Sequence, residues 1–435
     1  MADARRAAPS AVAFLGTLVG KAVVALTWFR PDGGHALPGL VVNRLFPGYL
    51  IAMIRQLPEG VAVVTGTNGK TTTTKMVVEL LRADGKGVVT NPTGSNLGRG
   101  VVSDLVRRAD WRGALTDDVA VLEVDEAYLV RLVAQVRPRW ILALNVSRDQ
   151  LDRYGEVDTV ANLIGTAMRT AADGVVTNAD DPRLRRLGRE VAAQGVAVDY
   201  FGVTPALAPY FPTDDELVSV GTRGDATGEG RPAPSVELVA FEGRTASYRI
   251  DGQTYRTELQ VTGQHNFANA AAALALVRHL VPTAGDPTLV RRVGEVGVAF
   301  GRGETFTLRD GSEVQLVLAK NPASFRQAIA SYLGDQPVVM VVINDNIPDG
   351  RDVSWLWDVD VAGIGPAVEV TSGTRGADMA LRLGYADVDV RAVVPDVDVA
   401  LERFCTLPGR KVVIANYTAM LHLYAELRRR AGVSL

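Results

Sequence analysis

Residues 61 to 74 read VAVVTGTNGKTTTT, and the fold turns on how this stretch is read. Loops that bind phosphate follow G-x-x-x-x-G-K-[ST], with an apolar strand before them and a helix after. Gly69, Lys70 and Thr71 match the second half of that pattern, but its first position is Val64, and the earlier glycine arrives two residues late as Gly66. The surroundings argue that the loop still works. Val61 to Val64 is the short apolar run of a fully buried parallel strand, and Met76, Val77, Leu80 and Leu81 recur at helical spacing. Asp84 and Gly85 close that helix, and VVTN at 88 to 91 restarts a strand. In the order strand, loop, helix, strand, free backbone N–H groups and the positive end of a helix dipole converge where an anion is held. Gly66, Thr67, Asn68, Gly69, Lys70, Thr71 and Thr72 are the expected nucleotide contacts, with Lys70 on the terminal phosphates and Thr71 binding magnesium through its hydroxyl. A glycine-rich turn capped by threonines is the plain alternative, but it has no need of a lysine directly before four hydroxyls.

At 435 residues the chain exceeds one ordinary core, so two or three domains are expected. A net charge of −3 from balanced acidic and basic residues gives no electrostatic footprint for nucleic acid. The single cysteine, Cys405, excludes an internal disulfide and a cysteine-cluster metal site, and four scattered histidines argue against a histidine site. Both features fit a reducing cytoplasm. MADARR followed by AAPSAVAFLGTLVGKAVVALTWF has the basic start and apolar run of a signal peptide. Lys21 interrupts the run, and Arg30, Pro31 and Asp32 follow it without a small-residue cleavage pattern. The expectation is an amphipathic or buried helix; a membrane element is the alternative, for which the uninterrupted run is short.

Other apolar strands end in chemically useful residues. VAVLEVDEAYL at 119 to 129 runs into Glu123, Asp125 and Glu126, and WILALNVSRDQLDRYG at 140 to 155 into Asn145, Arg148, Asp149, Gln150 and Asp152. Strand ends at the carboxyl edge of an α/β sheet present ligands, and Glu123 is a candidate magnesium ligand. A solvated strand end or a helix cap is the alternative for each carboxylate. Farther on, RDG at 309 to 311 reads as a hairpin turn. Strands at 338 to 343, 367 to 370, 390 to 394 and 411 to 415 alternate with helical patterns, which predicts a small α/β domain with parallel pairing. Asp345, Asp349, Asp352, Asp358 and Asp360 crowd one loop beside Trp355 and Trp357, as either a solvated acidic turn or a site.

TGTNGKTTTT, LEVDEA, NVSRDQLDRYG, TNADDP at 177 to 182 and GQHNFANAAAALA at 263 to 275 resemble, in this order, the motifs of the Mur ligase superfamily. Its members make amide bonds by phosphorylating a carboxylate with ATP, and G-T-N-G-K-T is its own variant of the loop. The resemblance implies that Lys70 and Glu123 are catalytic and that Thr71 and Glu123 hold magnesium. It also places Asn266 and Asn269 near the nucleotide base and adds Arg302, in GRGETF, to the nucleotide contacts. Where most members have D-H-L-D, this chain has Gln150, so a metal-ligand role there stays open.

LAKNPASF, VVMVVINDNIPDGRDVSWLWDVD at 338 to 360, EVTSGTRGADMALRLGY and KVVIANYTAMLHL narrow the resemblance to the MurT family, the ligase-like half of lipid II isoglutaminyl synthase. Its other half is the glutaminase GatD. The implied fold is α/β: a Mur-ligase-like central P-loop domain with a parallel sheet over 58–300, carrying an N-terminal helical segment over 1–57. A smaller C-terminal, Rossmann-like α/β domain follows over 301–435. The implied activity is ATP- and magnesium-dependent amidation of the D-glutamate α-carboxylate of lipid II through an acyl phosphate, at the inner face of the cytoplasmic membrane. A GatD-like glutaminase would supply ammonia, and Asp349 or Asp352 in PDGRD would lend its Cys–His pair a carboxylate. Many MurT proteins carry a four-cysteine zinc ribbon; the corresponding stretch here, about 205 to 235, has no cysteine, so zinc is not expected. An amino-acid-adding Mur ligase, a folylpolyglutamate synthase and a regulatory nucleotide-binding scaffold are the alternatives.

Overall fold

Every residue of the strand Val61–Thr65 (β1) is buried, because Val61 and Val63 face one core and Ala62 and Val64 face another. That two-sided burial is what an uninterrupted apolar run encodes. The computed structural model describes residues 8–27, 37–91, 100–147, 157–212, 230–297 and 302–432. Parallel to β1 run β2 (Val88–Thr90), β3 (Val119–Glu123), β4 (Trp140–Ala143), β5 (Gly174–Asn178), β6 (Val198–Val203) and β7 (Val236–Glu242). Two antiparallel strands, β8 (Thr245–Ile250) and β9 (Gln253–Glu258), extend the sheet. The strand order is β2-β3-β1-β4-β5-β6-β7-β8-β9. From β1 the chain winds to one side, through β2 and β3, and then crosses to β4 on the other. Winding reverses at β1, and the crevice beyond its carboxyl end is where such a sheet takes a ligand.

Helices cover both faces. On one side lie Lys70–Ala83, Asp286–Gly294 and the alanine-rich His265–Leu280, in which residues 270 to 277 are fully buried. Small side chains there let that helix approach the phosphate-loop helix closely. On the other face lie Gly100–Arg108, Glu126–Gln135, Val157–Met168 and Pro182–Ala192.

Three N-terminal helices, Ala11–Thr27, Leu37–Leu45 and Tyr49–Ile54, share that second core. Thr17 Oγ1 lies 2.7 Å from Tyr49 Oη, and Gly39 N–H donates to Ser103 Oγ at 2.8 Å. Gln56 ties the segment down by donating to Gly113 O at 2.9 Å and accepting from Leu115 N–H. The first helix is neither fully buried nor amphipathic in the usual sense, since its outward face is also apolar.

The last part of the chain begins with the antiparallel pair β10 (Arg302–Thr307) and β11 (Glu313–Leu318), closed by Leu308 N–H donating to Ser312 O at 2.8 Å. With β12 (Val338–Val342), β13 (Ala367–Val368), β14 (Val370–Ser372), β15 (Asp389–Val390), β16 (Val393–Val394) and β17 (Lys411–Ala415), it builds a six-stranded sheet ordered β10-β11-β17-β12-β14-β16 and a separate β13-β15 pair. The strands expected at 367 to 370 and 390 to 394 are thus each split in two. The halves keep one register against each other, Ala367 opposite Asp389 and Thr371 opposite Val393, with Arg391 N–H donating to Val368 O at 3.0 Å, while the first strand also reaches β12 through Glu369 N–H donating to Val339 O at 3.0 Å.

Candidate active site

The loop after β1 closes on itself around its lysine. Gly66 and Gly69 both have positive φ, 126° and 86°, a region that glycine alone enters without strain. A side chain at 66 would press on the Asn145 backbone, and one at 69 on Asn269. Lys70 opens the helix and folds back, its buried Nζ donating to Gly66 O at 2.6 Å and lying 3.3 Å from Asp125 and 3.7 Å from Glu126. Thr71 Oγ1 donates to Glu123 Oε1 at 3.0 Å across the gap from β1 to β3. A hydroxyl beside a carboxylate at a helix N-terminus is the oxygen donor set magnesium takes. The following threonines divide the work: Thr72 lines a small cleft at the loop, whereas Thr73 and Thr74 are buried in the core.

Asparagines set directly after strands hold this arrangement. Asn145, after β4, donates to Asn68 O at 2.9 Å and accepts from Asn68 N–H at 2.8 Å. Asn91, after β2, pairs both ways with the Glu123 backbone, each bond 2.8 Å. Asn91 escaped the sequence reading, although the signal was there: an apolar strand ends in Asn at 91, 145, 178 and 416. A third asparagine comes from the C-terminal domain. Asn321 caps the helix Pro322–Tyr332 by accepting from Ser324 N–H, and its Nδ2 donates to Asn68 Oδ1 at 3.1 Å. Asn321→Ala should cost about 1 kcal/mol as a lost cap and raise KM for ATP with a smaller change in kcat. Urea unfolding and initial rates check the two parts.

Beside the loop lies a cavity of about 490 Å³ between the two domains. Its floor is Asn68, Gly69 and Asn145, Phe201 and Phe211 contribute aromatic wall, and Arg326 and Gln327 reach in from the helix Pro322–Tyr332. Asn269 stands at this wall and donates to Asn266 Oδ1 at 2.9 Å; Asn266 in turn donates to Thr262 O at 2.6 Å. Both asparagines are buried. Asp181 receives Val146 N–H at 2.8 Å and caps the helix Pro182–Ala192. Neighbouring Asp180 pairs with Arg231 at 2.6 Å. Burial pushes both carboxyls up from the usual range, against Arg231 at Asp180 and against backbone N–H donors at Asp181.

Two family profiles match this chain: the Mur ligase middle domain over residues 64–277 and the MurT ligase C-terminal domain over residues 318–420. The MurT subunit of lipid II isoglutaminyl synthase (glutamine-hydrolyzing) from Streptococcus pneumoniae is 31% identical, over 96% of this chain and 97% of its own length. The chain belongs to the MurT family of Mur ligases. The subunit of the same name from Staphylococcus aureus is 28% identical over 91% of this MurT-family chain and 93% of its own. MurF from Acinetobacter baumannii shares the fold with a TM-score of 0.66 at 19% identity, covering 89% of this chain and 80% of that one. A pseudomurein peptide ligase type C from Methanothermus fervidus does so with 0.63 at 16%, covering 92% and 85%.

In this MurT-family chain the acidic residues at 345 to 360 do not form one cluster. Asp349 is buried under the helix Tyr417–Ala431, both its oxygens taken by the N–H and hydroxyl of Thr418. Asp352 is exposed, accepts Ser354 N–H at 2.8 Å, and is held below the usual carboxylate range by the Ser354 hydroxyl and N–H. Asp345 bonds Thr374, and Asp360 accepts Ala362 N–H. Chain geometry explains the dispersal, because short 3-10 turns at Ile347–Asp349 and Ser354–Asp358 point successive side chains apart. Trp355 packs on Phe325 with centroids 6.4 Å apart, while half-exposed Trp357 meets Tyr385 edge-on at 5.4 Å. Arg148, Asp149, Gln150 and Asp152 lie outside the described residues, as does the side chain of Arg302.

Proposed function

We propose that this chain is the ligase subunit that amidates the α-carboxylate of D-glutamate in the stem peptide of lipid II, using ATP and ammonia from a partner glutaminase. One observation carries the reading: Lys70, Thr71 and Glu123 meet where the sheet reverses, and a MurT-type C-terminal domain inserts Asn321 into the same loop. The names of the relatives, lipid II isoglutaminyl synthase subunits, supply the substrate.

Thr71 Oγ1 and Glu123 Oε1 fit a hard divalent cation, and magnesium bound there would offset charge on the phosphates. The helix start at Lys70, with Gly69 as its N-cap in the left-handed region, points the positive end of the helix dipole at the site where a phosphate chain would be oriented. Lys70 leaves Gly66 O and the carboxylates of Asp125 and Glu126 to meet the terminal phosphate, placing a fixed positive charge where negative charge builds as the phosphoryl group moves. A substrate carboxylate oxygen attacks the γ-phosphorus of ATP and ADP leaves, giving an acyl phosphate; ammonia attacks its carbonyl carbon, loses a proton to solvent, and phosphate leaves as the amide forms. Asn68, clamped between Asn145 and Asn321, holds the loop still through this exchange.

A partner is needed because Cys405 is no glutaminase nucleophile. It ends the helix Val397–Cys405 half-buried, and burial pushes its thiol up, away from thiolate. Asp352, exposed and ionised, is the carboxylate a partner's imidazole can reach; Asp349 anchors the loop. Exposed Ile347, Trp357, Leu381 and Tyr385 offer apolar surface around it.

Hydroxylamine in place of ammonia tests the chemistry. With ATP, magnesium and lipid II it should trap the activated carboxylate as a hydroxamate on the muropeptide, seen by mass spectrometry. ATP consumption without hydroxamate, or incorporation of an added amino acid, would refute amidation through an acyl phosphate.

A further inference from the structure

The first helix is built inside out for a protein in water. Its inward stripe is small: Gly16 lies against the Tyr49 ring and Gly20 against Val106 and Val42. Its outward positions carry the large apolar side chains, with Leu15 48% and Leu26 78% exposed and Phe14 beside them. A water-facing helix ordinarily buries its large residues and presents polar ones. The second helix adds Leu40 and Leu45, the latter 60% exposed, and Trp111 stands out at 68% from the loop after Gly100–Arg108. Exposed apolar side chains concentrated on contacting helices mark a surface with an apolar partner.

Charge says which partner. The helices Ala11–Thr27, Leu37–Leu45 and Tyr49–Ile54 contain no acidic residue, and their charges are Lys21 and Arg44, with Arg55 at the end of the third. Lys21 Nζ sits 5.3 Å above the Trp111 ring, the pairing of cation and amphipathic ring found at membrane interfaces. The carboxylate of Asp110, next to Trp111, is turned into its own loop, accepting the N–H groups of Arg112 and Ala114 at 2.8 Å. Lys21 and Arg44 thus outnumber the one exposed carboxylate beside them among the described residues, Asp110, and an apolar face with this basic excess, inside a chain of net charge −3, complements an anionic bilayer. No helix among the described residues is long and apolar enough to cross one, and packing on Tyr49 and Val106 holds the first helix flat against the domain. We propose that the outer face of the N-terminal helices docks this chain on an anionic phospholipid surface, with Leu15, Leu26, Leu45 and Trp111 entering the headgroup boundary and Lys21 and Arg44 meeting phosphates. This face suits a bilayer whatever the chain acts on; a lipid-linked substrate, under the function proposed above, gives the docking a use.

Flotation of the full-length protein with vesicles of phosphatidylglycerol and phosphatidylethanolamine, free of lipid II, tests it. Wild type should float with these vesicles, less in high salt, and not with pure phosphatidylcholine. Leu26→Glu and Leu45→Glu should each weaken binding roughly tenfold or more, the value of burying one leucine, with unchanged melting temperature and ATP affinity. Lys21→Glu should weaken it by a smaller factor. Failure of wild type to float, or flotation of both leucine variants at wild-type level, would overturn the proposal. So would sedimentation velocity in which wild type forms a dimer, or a complex with the partner glutaminase, that the leucine variants abolish. On a water-soluble substrate without the polyprenyl tail, the variants should match wild type while lagging on vesicle-borne lipid II. If wild type amidates neither substrate, the ligase reading fails and flotation still decides the docking.

Discussion

Lys70→Ala should lower kcat for ammonia-driven amidation by roughly a thousandfold or more, the scale on which a single preorganised charge at a developing oxyanion acts. Its ammonium is the charged side chain the loop itself brings to the terminal phosphate, and in the free protein it is already desolvated beside Glu126. Removing it leaves the Glu126 carboxylate buried without this cation, so a loss of about 1–3 kcal/mol in stability should accompany the kinetic defect. Circular dichroism and urea unfolding would then find a folded but weaker protein. Lys70→Arg is not a rescue, because the planar guanidinium cannot reproduce a point charge packed against Gly66 O. Turnover near wild type at saturating ATP and lipid II would end the phosphate-loop assignment.

Asp352→Asn should cut glutamine-driven amidation by about 10⁴, the loss seen when the carboxylate that orients a catalytic histidine becomes an amide. Ammonia-driven amidation by the same protein should be nearly unchanged, since Asp352 lies on the C-terminal loop rather than at the phosphate loop. Asp349→Asn should behave differently. Its carboxylate receives the Thr418 N–H and hydroxyl, so the change loosens the loop on the helix Tyr417–Ala431 and erodes stability first. Equal loss of both activities in Asp352→Asn would assign the loop to the ligase reaction; no loss of either would make it a solvated turn.

The phosphate loop, its flanking strand and helix, and the run into Glu123 were legible because period and motif are local properties. Lys70 and Thr71 could be placed from four neighbours on either side. The partners of Asn91 and Asn321 could not, since Asn91 meets the Glu123 backbone and Asn321 the Asn68 side chain, both distant in sequence, and only the order β2-β3-β1-β4 and the docking of a second domain bring them there. The acidic run at 345 to 360 misled for the converse reason: nearness along the chain is not nearness in space when 3-10 turns fan the side chains out. Strands 367 to 370 and 390 to 394 read as continuous because apolar content does not encode a local break in a ladder whose register is otherwise kept.

Arg231 donates to Asp180, to Val203 O at 2.7 Å and to Glu237 at 3.1 Å, so the chain at this point is riveted to β6 and β7. On the departing side, the turn Pro205–Tyr210 is anchored separately, with Tyr210 and Phe211 edge-on to Phe241. Two independent moorings therefore fix the chain at 212 and at 230, and between fixed ends a longer connection adds only about 0.6 kcal/mol per doubling of length. A reporter grafted between these two anchors should therefore cost little to the sheet that carries the chemistry.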